Sequence, residues 1–295
     1  MGGGGFGRLL PRHRHLGRPK TSEERGVKPL PPIQNLIIDM DGVLYRGHRP
    51  LPGAKEFLHH LEERETAYIL VTNNATRTPE QYAAELKEMG IEVSPQRILT
   101  SALATADYLG NLLPQGARLY LIGEGGLYSA LAAQGFTFGE RDIEAVVVGM
   151  DRQLTYEKLK AATIAIRQGA RFVGTNPDKS FPAEEAIVPG AGAILAAIEA
   201  ATGVQPTVIG KPEPILFQMA LQRMGATEKE TAVIGDRLET DILGGQRCGL
   251  TTILVLTGIS QQQDLEASDI KPDYVFPDLI HLDEALIIAD PKEKM

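Results

Sequence analysis

The segment LIIDMDGV, residues 36–43, decides the fold, because a short apolar run ends abruptly in two aspartates. Continuous apolar runs rich in Ile and Val are typical of parallel strands that are buried on both faces. Three further runs have the same form: 68–71 before Thr72-Asn73, 207–209 before Gly210-Lys211, and 232–234 before Gly235-Asp236. Ligands bind just beyond the carboxyl ends of such strands in open α/β sheets. We therefore expect all four polar clusters to meet in one crevice.

Helical patterns separate these runs. Thr78-Pro79-Glu80-Gln81 has the spacing of a capping box with proline at the first helical position, and the pattern that follows stops at Gly90. A second helix is indicated after Pro52-Gly53 by four apolar residues that share one face, namely Ala54, Phe57, Leu58 and Leu61. Strands that alternate with helices predict an α/β protein built on a doubly wound parallel sheet, a Rossmann-like core.

About a hundred residues between the second and third polar clusters have an α/β pattern of their own. Strand-like runs at 118–123, 145–149 and 171–174 alternate with helical patterns such as 156–168. A segment of this size with its own pattern is typical of an inserted domain. We predict a catalytic core made of residues 31–103 and 207–290, with an inserted α/β cap domain at residues 104–206.

The first thirty residues differ in composition from the rest. They contain the run Gly2–Gly5 and seven Lys or Arg residues against two Glu residues, in a chain whose net charge is −8. We predict that residues 1–30 form a disordered basic tail. A transit peptide or a basic interaction arm is the alternative, although no clean amphipathic helix is visible there.

Composition excludes several classes of protein. The acidic balance leaves no basic stripe for nucleic acid, so no nucleic-acid partner is expected. No apolar run approaches the roughly 20 residues that cross a bilayer, and no secretory signal is visible, so we expect a cytoplasmic protein without a membrane partner. The single cysteine, Cys248, cannot form an internal disulfide, and no zinc-type spacing of Cys and His occurs. Any metal should therefore be bound by oxygen atoms.

Asp39 and Asp41 are the first candidate catalytic pair. A carboxylate at a strand end can attack phosphorus and form an acyl phosphate, which divides one difficult displacement into two easier ones. A second carboxylate two residues later can handle protons at the same site. Gly42 can offer a backbone N–H to a phosphate oxygen in a tight turn.

Further carboxylates follow the strand at 232–234. Asp236 and Asp241 would join Asp39 and Asp41, and four carboxylates in one crevice require a cation, for which Mg²⁺ is the best match among oxygen-bound metals. Lys211 supplies a protein cation. Thr72 can donate its hydroxyl, and Asn73 its amide or backbone N–H, to the phosphoryl oxygens.

Four segments, in this order, carry a resemblance to a known family: DMDGVLYRG from Asp39, VTNNATRT from Val71, IGKPEP from Ile209 and VIGDRLETDILGG from Val233. Together they resemble the haloacid dehalogenase superfamily, and within it the type-IIA phosphatases with a large α/β cap, which include phosphoglycolate, 4-nitrophenyl and some nucleotide phosphatases. The resemblance covers about residues 33–286. The resemblance implies that the four motifs at the strand ends form one site for phosphoryl transfer.

The resemblance implies a role for each motif residue. Asp39 would be the nucleophile and Asp41 the general acid and base. Asp39, the backbone carbonyl of Asp41, and Asp236 would bind Mg²⁺, with Asp241 acting directly or through water. Thr72 and Lys211 would hold the phosphate. The presence of Asp41 also argues against dehalogenase chemistry, because the superfamily's dehalogenases lack that second aspartate.

The resemblance makes the inserted domain a cap that determines substrate specificity. Asn176 and Asp178, in the segment Thr175-Asn176-Pro177-Asp178, resemble cap residues that face the core and bind substrate. An ordinary Asn-Pro-Asp turn after a strand is the alternative for this segment.

The predicted function is Mg²⁺-dependent hydrolysis of a small organic phosphate monoester, such as a phosphoglycolate-like compound, a sugar phosphate or a nucleoside monophosphate, through an aspartyl-phosphate. A phosphomutase would use the same Asp39 chemistry and return the phosphate to its sugar. A weaker alternative is an NAD-dependent oxidoreductase, because Gly123-Glu124-Gly125-Gly126 resembles a dinucleotide fingerprint, although Tyr128 replaces its third glycine. The oligomeric state stays open, with a homo-oligomer through the cap as one option.

Overall fold

The structure is a computed structural model that describes residues 30–182 and 186–289. The predicted basic tail therefore lies outside the described residues, apart from Leu30. None of the helices within the described ranges is long and apolar enough to span a bilayer.

Strands and helices alternate along most of the described chain. The strands are β1 (Asn35–Asp39), β2 (Tyr45–Arg46), β3 (Arg49–Pro50), β4 (Ala67–Thr72), β5 (Ile98–Thr100), β6 (Arg118–Ile122), β7 (Thr137–Phe138), β8 (Ala145–Val148), β9 (Arg171–Gly174), β10 (Ser180–Pro182), β11 (Ile187–Pro189), β12 (Thr207–Val208), β13 (Thr231–Gly235), β14 (Thr251–Val255) and β15 (Tyr274–Phe276). The helices are α1 (Ala54–Glu63), α2 (Pro79–Glu88), α3 (Ser101–Gly110), α4 (Gly125–Ala133), α5 (Tyr156–Arg167), α6 (Ala191–Thr202), α7 (Pro214–Met224), α8 (Leu243–Arg247), α9 (Gln262–Ala267) and α10 (Leu279–Ala289).

Six of these strands form a parallel sheet in the order β15-β14-β13-β1-β4-β5. Residues of β1 alternate between two hydrophobic clusters: Ile37 packs with α3 and α7 on one face, whereas Leu36 and Ile38 pack with α1, α2 and α10 on the other. This alternation follows from the side-chain period of two in a strand. A parallel sheet with helices on both faces confirms the predicted doubly wound α/β fold.

The two predicted helices of this part are confirmed. In α2, the Thr78 hydroxyl accepts a bond from the Gln81 N–H and the Gln81 side chain accepts one from the Thr78 N–H, which completes the capping box. In α1, the four predicted apolar positions are all buried. The capping box satisfies N–H groups that the first turn of a helix leaves without partners.

A second parallel sheet has the order β12-β9-β8-β6-β7. Its strands β6, β8 and β9 coincide with the runs predicted for the inserted domain. Val146 and Val148 of β8 pack against α5 and α6, while Ala145 and Val147 lie in the same cluster as α3 and α4. That cluster also contains Ile37, so apolar packing is continuous between the two sheets.

One strand lies in a different sheet from the predicted one. The run 207–209 was expected as a fourth buried strand of the core, but β12 pairs with β9 at the edge of the second sheet. The prediction was wrong because an apolar run reveals burial and not its pairing partner. Lys211 nevertheless lies in the core, because the chain crosses from the second sheet to the core directly after β12. The exact division into core and cap remains a prediction.

The glycine-rich segment at 123–126 connects β6 to α4 by a tight turn and includes the first two residues of that helix. The Gly126 N–H donates to the Thr76 carbonyl at 3.0 Å. A Cβ atom on Gly126 would lie 2.5 Å from the backbone nitrogen of Arg77, which is closer than atoms can pack. Gly126 therefore permits close contact between the two α/β units, and this use of the motif does not support the dinucleotide alternative.

Candidate active site

Three strand ends bring the predicted site residues together. Asp39 ends β1, Thr72 ends β4, and Asp236 directly follows β13. Strand β1 lies between the other two, with Ile38 paired to both Leu70 and Ile234. Because the strands are parallel and in register, their carboxyl ends open on the same edge of the sheet, as the sequence predicted.

Lys211 lies between two carboxylates at this edge. Its Nζ donates to Asp39 Oδ1 and to Asp241 Oδ1, each at 2.6 Å. All three residues are buried, and Lys211 is only 3% exposed. Burial opposes the charged form of Lys211, but the attraction of Asp241 and Asp39 outweighs it and raises the pKa of the ammonium group. Lys211 is therefore held as a cation beside Asp39.

The carboxylates of Asp39, Asp236 and Asp241 form a buried cluster in which one oxygen atom from each residue lies within 4.8 Å of the other two. Burial, then repulsion by Asp241 and Asp236, raises the pKa of Asp39 well above its usual range, against the opposing charge of Lys211. Burial and Asp241 similarly raise the pKa of Asp236 to about 6. One lysine cannot neutralise three carboxylates. The cluster therefore has a net negative charge that a divalent cation can balance. An all-oxygen donor set of this kind fits Mg²⁺.

Asp236 is enclosed by two glycines. A Cβ on Gly42 would lie 2.4 Å from Asp236 Oδ2, and one on Gly258 would lie 1.8 Å from the same atom. Gly42 also has a φ of +84°, which disfavours any other residue there. The Ile259 N–H donates to Asp236 Oδ2 at 2.6 Å. The carboxylate is thus fixed by direct contact with backbone.

The Gly42 N–H has a different partner from the predicted one. It donates to the Tyr45 carbonyl at 2.7 Å and closes the turn after Asp41. This contact does not support the prediction that the N–H of Gly42 binds a phosphate oxygen, and that role stays a prediction. The glycine is needed here because its missing side chain leaves space for Asp236.

Asp41 differs from the other aspartates of the site. Its side chain is exposed, and its carboxylate is not part of the buried cluster. The structure therefore brings together three of the four predicted carboxylates, which leaves the backbone carbonyl of Asp41 as its predicted metal ligand. Partial removal from water raises the pKa of Asp41, while the N–H of Gly47 and the charge of Arg46 oppose this rise. An exposed carboxyl group with a raised pKa is suited to exchanging protons.

Thr72 ends β4 and Asn73 follows it, as predicted. The two side chains differ in which of their hydrogen-bonding groups already have partners within the protein. The Thr72 hydroxyl accepts a bond from the Asn74 N–H at 3.1 Å, and this bond uses its oxygen and not its proton. The Asn73 amide donates to Asp178 Oδ2 at 3.1 Å and to the Lys211 carbonyl at 2.9 Å. Both amide hydrogens are thus used within the protein, so these contacts do not support phosphate binding by the side-chain amide, and the predicted alternative, the backbone N–H of Asn73, stays a prediction.

Asn176 and Asp178 reach the core from the second unit. The Asn176 side chain donates to the Asn73 carbonyl at 2.7 Å and accepts from the Asp178 N–H at 3.1 Å. The second of these bonds is the predicted Asn-Pro-Asp turn. The Asn176 side chain is therefore used to hold the two units together, and its contacts do not support substrate binding.

Asp178 also faces a cation that the sequence reasoning missed. Arg237 Nη1 lies 3.7 Å from Asp178 Oδ1, across the boundary between the two units. Burial raises the pKa of Asp178, opposed by the Asn73 hydrogen bond and then by the charges of Arg237 and Lys211. Arg237 directly follows Asp236 in the motif, so the position of Arg237 at the crevice could have been predicted from the sequence.

A fifth strand end was also missed. Strand β14 ends at Val255, and the segment 256–260 after it contacts Asp236 and Gly42. The apolar run 253–256 followed by Thr257-Gly258 has the same form as the four runs that were recognised, so the same rule would have found it.

Comparison with known proteins agrees with this geometry. The family model described as haloacid dehalogenase-like hydrolase matches residues 36–137, and a related HAD-hydrolase-like model matches residues 208–282. The acid sugar phosphatase of Staphylococcus aureus (strain USA300) is 44% identical over 244 residues, which is 82% of this chain and 94% of that protein.

Solved structures give the same result. The 4-nitrophenylphosphatase of Thermotoga maritima is 38% identical, with a TM-score of 0.83, over 86% of this chain and 98% of that one. NagD from E. coli K-12 is 37% identical, with a TM-score of 0.79, over 84% and 97% respectively. The chain belongs to the haloacid dehalogenase-like hydrolase family, and within it to the phosphatases of the type-IIA branch.

Proposed function

We propose that the protein hydrolyses small sugar phosphates with the help of Mg²⁺, through an aspartyl-phosphate on Asp39. The observation that carries this proposal is the buried contact of Asp39 with Lys211, next to Asp236 and Asp241. A carboxylate nucleophile, a fixed cation and an excess of acidic oxygens are the parts that phosphoryl transfer requires.

In the first step, a carboxylate oxygen of Asp39 attacks phosphorus and the bond from phosphorus to the alcohol oxygen breaks. Asp41 donates its proton to the departing alkoxide, which leaves as the neutral alcohol. Lys211 and the Thr72 hydroxyl stabilise the charge that spreads over the phosphoryl oxygens. The exposed position of Asp41 allows it to reach a leaving group at the mouth of the crevice.

In the second step, Asp41 removes a proton from water, and the resulting hydroxide attacks the phosphorus of the aspartyl-phosphate. The bond from phosphorus to the Asp39 oxygen breaks, inorganic phosphate is released and the carboxylate is restored. Asp41 ends the cycle protonated, as it began. The same residue therefore serves as acid and then as base.

Asp39, Asp236 and Asp241 are the residues that would hold Mg²⁺, together with the carbonyl of Asp41. When bound, the ion neutralises negative charge on the carboxylates and on the transferred phosphoryl group. Without a cation, burial and then the repulsion between the carboxylates raise the pKa values of Asp39 and Asp236, which makes the charged cluster unfavourable. We propose Mg²⁺ as the ion because all the donors are oxygen atoms.

Two observations support a small substrate. Direct hydrogen bonds from Asn73 to Asp178 and from Asn176 to Asn73 join core and cap beside the site, which leaves little room for a folded phosphoprotein. Relatives are named acid sugar phosphatase and 4-nitrophenylphosphatase, which are names for enzymes that act on small phosphates. We accordingly propose residues 104–206 as a cap that restricts access, with Asp178 near the leaving group. Cytoplasmic location also stays a prediction.

The decisive experiment measures inorganic phosphate released from glucose 6-phosphate, glycerol phosphate, phosphoglycolate and a nucleoside monophosphate. We expect release with Mg²⁺, fastest from a sugar phosphate, and loss of turnover with EDTA that added Mg²⁺ reverses. Undiminished turnover in EDTA would contradict the metal role. Conversion of a sugar phosphate to its isomer without free phosphate would instead establish the phosphomutase alternative.

A further inference from the structure

Arg46 joins two segments that are far apart in the sequence. It lies on the hairpin of β2 and β3, directly after the Asp41-Gly42 turn. Its Nη2 donates to the carbonyl oxygens of Thr257 and Gly258, the latter at 3.3 Å. A second bond joins the same two segments, from the Thr257 hydroxyl to the Gly42 carbonyl at 2.6 Å. The hairpin and the segment after β14 are thus linked at two points.

Each linked segment holds one aspartate of the site. On the side after β14, the Ile259 N–H donates to Asp236 Oδ2 at 2.6 Å, one residue beyond the Gly258 carbonyl that Arg46 binds. On the hairpin side, Asp41 is bridged to Tyr45, the residue before Arg46, and the Gly42 N–H donates to the Tyr45 carbonyl at 2.7 Å. Arg46 therefore follows the residue that is bridged to Asp41, and it binds the residue that precedes the backbone donor to Asp236.

The contacts around Asp236 leave little free space. Gly258 and Gly42 both approach its carboxylate so closely that neither position has room for a Cβ atom. A shift of the segment 257–259 by a few tenths of an ångström would therefore move Asp236 or break its bond to Ile259. Close packing transmits such displacements rather than absorbing them.

We propose that Arg46 is a positioning residue that fixes Asp236 as a metal ligand and Asp41 as the proton-transfer group in one arrangement. The inference rests on the proposed function. Arginine suits this task because its planar fork carries several N–H donors, which can bind two neighbouring carbonyl oxygens with charge-assisted bonds. Lysine would bring the same charge but no rigid fork.

Arg46→Gln tests the proposal, with Arg49→Gln as the matched control. Arg49 is an exposed arginine on the paired strand of the same hairpin, and its guanidinium has no hydrogen bond or ion pair with another described residue. Binding of Mn²⁺ in place of Mg²⁺ is measured without substrate, from the electron paramagnetic resonance signal of the free ion. We expect Arg46→Gln to weaken Mn²⁺ binding roughly 10–100-fold, the usual effect of losing an outer partner of a metal ligand.

The same variants are then compared on two phosphates in saturating Mg²⁺. Arg46→Gln should slow hydrolysis of an alkyl phosphate, whose leaving group needs the proton of Asp41, more than that of 4-nitrophenyl phosphate, whose leaving group does not. Arg46→Lys should recover part of both losses. Arg49→Gln should stay within about twofold of wild type in each assay, as is usual for surface changes.

Mn²⁺ affinity in Arg46→Gln equal to that in Arg49→Gln would overturn the link to Asp236. An equal slowing of both phosphates would overturn the link to Asp41. If Arg46→Gln does not fold, Thr257→Val and Thr257→Ser test the second bond between the segments, and only the valine variant should weaken Mn²⁺ binding. The proposed function would be refuted if wild-type protein bound Mn²⁺ but released phosphate from no substrate. In that case, the Mn²⁺ affinities of the variants would still test whether Arg46 positions Asp236.

Discussion

The core side and the cap side of the crevice differ in how their polar groups are satisfied. On the core side, one lysine lies among three carboxylates, those of Asp39, Asp236 and Asp241. The negative charge of the carboxylates therefore exceeds the positive charge of the lysine. On the cap side, Asn176 and Asp178 form hydrogen bonds with core residues or with each other. Unbalanced charge marks groups that await a ligand, whereas satisfied groups determine how the two units fit together.

From this comparison we propose that the core carries the chemistry and that the cap governs access. It predicts that substitutions on the core side lower the rate by orders of magnitude, while substitutions on the cap side act on stability and on the choice of substrate. Such a division is common where one scaffold supports many substrates, because the reacting group stays constant and the rest of the substrate varies.

The largest effect is expected for Asp39→Asn. An amide cannot form the acyl phosphate, so turnover should fall by roughly 10⁴-fold to 10⁶-fold, as for other enzymes that lose their nucleophile. The charge of Asp39 is disfavoured by burial, so the metal-free variant should melt no lower than wild type. Rapid-quench labelling should find a base-labile phosphate in wild type and none in the variant. Turnover close to the wild-type rate, or a label that maps to another residue, would exclude Asp39 as the nucleophile.

The next effect is that of Asp41→Asn, which keeps the shape of the side chain and removes its proton. Hydrolysis of alkyl phosphates should slow by about 10² to 10⁴, the range for general acid–base catalysis. With 4-nitrophenyl phosphate, the variant should still release a burst of nitrophenolate, of about one per active enzyme, and then stall at the aspartyl-phosphate.

Asp269→Asn is a suitable control for this variant, since Asp269 is another exposed aspartate. It should turn over alkyl phosphates at the wild-type rate. An Asp41→Asn enzyme that does the same would show that the proton is carried by a different group.

The sequence predicted the core side well because its residues obey a local rule. Asp39 and Thr72 end buried strands and Asp236 directly follows one, and parallel strands bring such positions to one edge. The same rule correctly predicted that Lys211 lies at this edge, even though the apolar run before it belongs to the second sheet. What a strand end cannot reveal is which donors already have partners within the protein, as the Gly42 N–H and the Asn73 amide do.

The cap side was less predictable because its contacts are non-local. Asp178 meets Asn73 and Arg237 across 105 and 59 positions of the sequence, and no periodicity encodes such pairs. Arg46 is similar: its partners Thr257 and Gly258 lie near the other end of the chain. Residues of this kind become visible only when the fold places them together.

The smallest effect is expected on the cap side, for Asp178→Asn. Burial raises the pKa of Asp178, so the folded protein binds a proton more tightly than the unfolded chain does. Stability then falls as pH rises from the ordinary aspartate value of 3.8 through the higher folded value, because ionisation is less favourable in the folded state. An asparagine keeps a carbonyl oxygen to accept the Asn73 bond and does not titrate.

The measurement is the free energy of unfolding of metal-free wild type and Asp178→Asn across the acidic range. Both will change with pH, since Asp39 and Asp236 titrate in each, but wild type should lose more stability than the variant as pH rises through this window. Turnover of the variant should change far less than that of Asp39→Asn or Asp41→Asn, because the Asp178 carboxylate bonds with Asn73 and not with Lys211 Nζ. Identical pH profiles for the two proteins would show that Asp178 titrates as an ordinary carboxylate. A loss of turnover as large as that of Asp41→Asn would show that the cap takes part in the chemistry, and the division between the two sides of the crevice would fail.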